Sequence, residues 1–241
     1  MKCRPLFAIA LLIPFAVAQA EEKKTAKKAP APPTKAATQN LNTPDVADQK
    51  KMGQLPAHTA GLADEAANAF AKKDWKTARK CYQEMIAADP LNALTYANLG
   101  AVEQQSGRLK ESQALFERAV TINPELQQTW TALGLVSYEK GDLYYALHAL
   151  SRAVHEDPTD AKAHNYLAVV TKKLGWREAA ESELQRAIEL NPEYANAHFN
   201  LALMYLERTP PAIELAKRHY DKAVALGAPK DELVEEKLKA E

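Results

Sequence analysis

Cysteine is almost missing from this 241-residue chain, which has only Cys3 and Cys81. Loss of a short N-terminal segment would leave one thiol, so a disulfide framework is excluded and Cys81 reads as a small buried apolar residue. Glycine is also scarce, at 8 residues, and β-branched runs are few, whereas Ala, Leu, Glu and Lys abound. Unbranched side chains lose little rotamer freedom in a helix, so this composition points to an all-α fold. Neither sign of charge is in excess: 31 Lys and Arg balance 31 Asp and Glu. Nucleic acid is therefore not an expected partner, because such binding needs a cationic surface that releases counterions.

Catalytic signatures are missing too. There is no glycine loop to cradle phosphate, no HExxH pair and no nucleophile elbow, so neither an enzyme nor a cofactor is expected. No metal site is expected either. His164 and His198 occupy one place in the repeat described below, where a flat ring packs between helices and parallel units do not converge their rings on one ion. His148 and His155 share a helix without further ligands.

The chain starts with charged Lys2 and Arg4, continues with the apolar run PLFAIALLIPFAV, and then presents Ala18-Gln19-Ala20. That order predicts a secretory signal over 1–20, cleaved before Glu21, since the run is short for a membrane span and Pro14 interrupts it. Cys3 precedes the apolar run, which is not the place of a lipid-acylated cysteine. Residues 21–57 are rich in Lys, Ala, Pro and Thr and poor in large apolar residues, so a disordered linker is expected. Its lysines, among them Lys23, Lys24, Lys27, Lys28, Lys50 and Lys51, are suited to contact anionic envelope polymer or head groups.

Beyond the linker the chain repeats itself. Pro90, Pro124, Pro158 and Pro192 are spaced by 34 residues, and the same interval joins Leu99, Leu133, Leu167 and Leu201. Gly107, Gly141 and Gly175 keep phase, as do Ala119, Ala153 and Ala187. Within 127–160, two runs of helical periodicity flank Gly141-Asp142. The glycine can end one helix in the left-handed region and the aspartate can cap the next, which predicts a helical hairpin. Gly134 and Ala146 allow close helix approach, Trp130, Leu133, Leu150, Ala153 and Val154 supply the buried stripe, and Pro158 stops the second helix.

The order Trp130, Leu133-Gly134, Gly141, Ala146, Leu150, Ala153, Pro158 resembles the tetratricopeptide repeat (TPR) signature. The resemblance implies an all-α, right-handed TPR α-solenoid of about five helix–turn–helix repeats, near 59–92, 93–126, 127–160, 161–194 and 195–228. Residues 229–241 then read as a capping helix with one narrow apolar stripe. The first repeat departs from the pattern at Lys73, where the turn glycine belongs, and at Met85, where the second helix has alanine elsewhere. The fifth departs at Pro210-Pro211. Ala202 to Ala216 spans 14 positions, against 12 from Gly134 to Ala146, so the turn has gained two residues and is expected to form a rigid corner. Pro211 is expected in the first turn of the following helix, where its missing N–H does no harm.

The family resemblance also implies a groove lined by the first helix of each repeat and suited to a peptide or partner protein. The helical period places Asn98, Gln105, Thr131, Tyr138, Asn165, Tyr166, Val169, Lys172, Lys173, Phe199 and Asn200 on that face. Carboxamides there can pair with both polar groups of an extended backbone. Lys162, Lys172 and Lys173 offer a locally basic fourth repeat for an acidic segment. The family's two-carboxylate clamp is not carried over, because Thr131, Ala132 and Leu135 stand where polar or basic groups are needed. The expectation is an exported scaffold, periplasmic or envelope-associated, that binds a protein or peptide and organises an envelope complex. The alternative is a structural protein of cell wall or polysaccharide that makes its main contact through the basic linker.

Overall fold

A computed structural model describes residues 59–239, so the expected signal and the whole of the expected linker lie outside the described residues. Every regular element among the described residues is helical, as the composition indicated. The elements are α1 (Ala60–Ala71), α2 (Trp75–Ala88), α3 (Ala93–Gln105), α4 (Leu109–Ile122), α5 (Gln127–Glu139), α6 (Leu143–Glu156), α7 (Ala161–Lys173), α8 (Arg177–Leu190), α9 (Ala195–Leu206), α10 (Ile213–Ala225) and α11 (Glu232–Lys239). Consecutive pairs from α1–α2 to α9–α10 form five antiparallel hairpins, and α11 closes on α9 and α10. The chain divides after Asn123 into two compact units, the first holding α1–α4 and the second α5–α11.

Local chemistry explains the hairpins. Asp74, Asn92, Asp142 and Asp160 each cap a helix start, with a side-chain oxygen accepting from a backbone N–H in the first turn at 2.8–3.1 Å. Three turn glycines, Gly107, Gly141 and Gly175, sit at φ of 80°, 83° and 88°, a region that disfavours side chains with a Cβ. Lys73 takes the same turn position at φ 58°, so the first hairpin keeps the conformation without glycine's freedom. Behind these turns runs a recurrent backbone bond. The N–H of the residue before each second helix donates five residues back, from Asp74 to Ala69, Arg108 to Glu103, Asp142 to Ser137 and Trp176 to Thr171, at 2.8–2.9 Å.

The fifth hairpin keeps that bond while changing its span. Ala212 N–H donates to Tyr205 O at 3.0 Å, seven residues back, which absorbs the two extra residues. Here the sequence expectation needs correction: Pro211 is not in the first turn, since Ala212 is the N-cap and α10 begins at Ile213. The reason is the bond itself. The residue before the second helix must donate an N–H, and proline has none.

In the first unit, Ala66, Ala78, Cys81, Tyr82, Met85, Leu99 and Val102 form the core. Cys81 is a free, buried thiol, and burial pushes its pKa up, which favours the unreactive protonated form. The hairpins of that unit are fastened by Glu103, 4% exposed, which accepts from Arg79 and also pairs with Arg108 at 3.0 Å. In the second unit, Gly134 lets α6 approach α5 so closely that an added Cβ would lie 2.5 Å from Leu150 Cγ. Leu184, Leu201, Ala202, Ala216 and Tyr220 form a further core cluster in that unit, which Val234 of α11 joins.

Candidate functional site

Asn98 and Gln105 belong to the first unit, both half-buried on α3. Asn98 Oδ1 is shielded from water without a hydrogen-bond partner among the described residues. The remaining groove candidates belong to the second unit, where first helices α5, α7 and α9 touch in succession. Tyr138, Tyr166, Val169, Phe199 and Asn200 are half-buried, Thr131 and Asn165 are buried, and Lys173 is exposed.

The structure brings the two asparagines together. Asn200 Nδ2 donates to Asn165 Oδ1 at 2.9 Å, and Asn165 Nδ2 lies 3.5 Å from the Tyr194 hydroxyl. Burial pushes the Tyr166 and Tyr194 phenols up, so both remain neutral donors at physiological pH. Gln127 extends the polar series by donating to Asp160 and to Thr131 Oγ1. This leaves an amide-bearing strip flanked by half-exposed aromatic and aliphatic side chains.

The three lysines are placed differently from one another. Lys172 Nζ bonds Glu207 at 2.9 Å, while Lys162 and Lys173 are solvent-exposed. Next to Lys172 is an open cavity of about 200 Å³ in which Lys172, Arg177 and Arg208 face Glu178, Glu181 and Glu207. Arg177 donates to the Glu207 carbonyl and Arg208 to Glu181, so the charges there largely answer each other.

A second arrangement was not legible as such in the sequence. One ring slot recurs in the second unit, and its N–H reaches the carbonyl of the repeat proline six residues earlier. Trp130 Nε1 donates to Pro124 O at 2.7 Å, and His164 Nε2 and His198 Nε2 lie 3.1 Å from Pro158 O and Pro192 O. A carbonyl only accepts, so both histidines carry a proton on Nε2. Their Nδ1 atoms then meet different partners: His164 faces Glu183 Oε2 at 2.6 Å, whereas His198 faces His219 Nδ1 at 2.9 Å. The six-residue offset from proline to ring was visible in the sequence; the partners, on the other helix of each hairpin, were not. Among the described residues, no group of three or more His, Cys, Asp or Glu side chains is arranged to hold a metal ion.

Paired helices, in-phase turns and interchangeable core positions define a helical-repeat protein. Tetratricopeptide repeat families match residues 63–126, 161–194 and 183–225, and the chain belongs to the tetratricopeptide repeat family. Among solved structures, MamA (residues 41 to the end) from Desulfovibrio magneticus RS-1 is 17% identical with a TM-score of 0.64, covering 72% of this chain and 97% of that one. YrrB, described as a TPR protein with an unusual peptide-binding site, is 22% identical with a TM-score of 0.58, covering 78% of this chain and 93% of that one. Pseudomonas aeruginosa pilF is 16% identical with a TM-score of 0.65, covering 71% of this chain and 78% of that one. At these identities the likeness concerns the fold. No curated protein sequence matches the chain.

Proposed function

We propose that the protein is an exported binding scaffold that holds an extended peptide or a partner helix along the first helices of its repeats and so organises a complex at the cell envelope. The observation that carries the reading is the Asn165–Asn200 pair, which joins the first helices α7 and α9, the same helices that carry half-buried Tyr166, Val169 and Phe199. Carboxamides can match a peptide backbone, while half-exposed rings supply anchoring area at small entropic cost. The family resemblance and the YrrB description favour peptide recognition as the mode. Export rests on the Lys2–Arg4 start, the apolar run and Ala18-Gln19-Ala20, and the basic linker would tether the array at the envelope.

The test is site-specific photocrosslinking in cells. A photoreactive residue at Val169 should capture a discrete protein partner, and one at exposed Ser182 on α8 should not. Asn200→Ala should weaken that capture by about fivefold to tenfold, the value of one or two lost hydrogen bonds. Equal capture at the two positions, or none at Val169, would overturn the groove reading. Fractionation of cells checks the export reading separately, since a chain retaining residues 1–20 in the cytoplasm would remove it.

A further inference from the structure

His198 on α9 and His219 on α10 hold the closing hairpin together through a contact that has room for only one proton. Their Nδ1 atoms are 2.9 Å apart, and the rings stack at 5.2 Å between centroids with 29° between planes. Because His198 Nε2–H is committed to Pro192 O, its Nδ1 is the acceptor and His219 Nδ1–H is the donor. His219 can take an added proton only on Nε2. A further proton must enter at His198 Nδ1, where it displaces the shared bond and sets N–H against N–H.

Burial, aided by nearby cationic charge, opposes both steps. Burial is the main influence holding His198 below the ordinary histidine range, and Lys222 adds to it against the Pro192 carbonyl. For His219 burial again leads, followed by His198 and then Arg218. Carboxylates on neighbouring elements are directed elsewhere. Glu181 of α8 binds Arg208 and the Tyr205 hydroxyl, Glu207 binds Lys172 of α7, and Asp231 and Glu235 act on Tyr220. Tyr205 itself presents a ring to His219, 5.7 Å between centroids. The fourth hairpin, by contrast, places Glu183 against His164.

We propose that the His198–His219 pair makes the fifth hairpin an acid-sensitive element, in which proton uptake separates α9 from α10 while the fourth hairpin stays closed. The sign follows from where the protons bind. In the unfolded chain both imidazoles titrate near about pH 6.5, whereas in the folded hairpin they resist protonation. Below that pH the unfolded form binds more protons, so the pair's stabilisation is present above about pH 6.5 and is lost as pH falls through the lower folded values. Phe199 and Asn200 follow His198 on α9, and the Phe199 ring touches Tyr220 of α10 at 6.1 Å. On the groove reading proposed above, mild acid would therefore loosen one end of the binding face.

Hydrogen exchange of the full chain tests the device without any ligand, so its outcome is independent of the photocrosslinking result. From about pH 7.5 to 5.5, corrected for intrinsic exchange, protection across α9 and α10 should fall about fivefold more than across α7 and α8. His219→Glu, which restores the carboxylate found in the fourth hairpin, should abolish that excess. His219→Gln, which keeps a side-chain donor but cannot titrate, should abolish it too and guards against a misfolded first variant. Equal loss of protection in both hairpins of the native chain would overturn the proposal, as would an undiminished excess in a folded His219→Glu or His219→Gln protein.

Discussion

The fourth and fifth hairpins share one plan and differ in how their second helix is received. In the fourth, α8 follows a three-residue turn closed by Trp176 N–H to Thr171 O, and its buried Leu184 packs inside the array. In the fifth, α10 follows a longer corner closed by Ala212 N–H to Tyr205 O, and buried Tyr220 stands where Leu184 stood. The tyrosine adds what a leucine cannot. Its hydroxyl accepts from Asp231 N–H at 2.8 Å and fixes the start of α11, while Asp231 Oδ1 accepts from Leu233 and Val234 N–H. An interior repeat thus needs only apolar volume at this position, whereas a closing repeat uses the same position to receive its cap.

Variants can break that comparison in graded steps. Leu184→Ala should have the largest effect, destabilising by about 2–5 kcal/mol in denaturant titration, because a fully buried leucine leaves a cavity. Removing everything after Gly227 should follow, at about 2–3 kcal/mol, since it uncovers the face that Val234 occupies. That product should also self-associate in light scattering; a truncated chain as stable and as monomeric as its parent would refute a capping role for α11. Tyr220→Phe preserves volume and deletes only the hydroxyl, so about 1 kcal/mol is expected, seen first as faster exchange in α11. The corresponding loss should not occur on Leu184→Met, which changes shape without touching a hydrogen bond.

The smallest effect belongs to the opposite end of the array. Lys73→Gly should stabilise by about 0.5 kcal/mol, because relief of left-handed strain slightly exceeds the entropy that glycine loses on folding. The same exchange in reverse, Gly141→Lys, should destabilise by about 1 kcal/mol in the same assay. If both substitutions are neutral, φ at this turn is not what selects the residue.

Much of this architecture could be read before the structure was known, because each repeated feature rests on local chemistry. Gly141 and Asp142 state their turn and cap in two adjacent letters, and Gly134 marks the close approach to Leu150. The placement of Pro211 was missed for a physical reason: which residue precedes α10 depends on a backbone donor required by Tyr205 O, a requirement that spans the corner. The candidate site was legible only as a face. Helical phase placed Asn165 and Asn200 in neighbouring repeats, and their direct bond followed from packing. His219 carried no signal, since its partner lies on the other helix and the two extra corner residues shift it out of the interval that relates Glu183 to the rest of the chain.

The corner at 207–211 has a practical consequence. Its residues are exposed, Glu207 and Arg208 make its bonds to α7 and α8, and the backbone bond that seats α10 is made by Ala212, so chain length between Thr209 and Pro210 bears on none of these contacts. The hairpin that already accommodates two added residues offers a grafting point between Thr209 and Pro210, where a short epitope or a dye-accepting tag can be carried beside the array without altering the helices it is meant to report on.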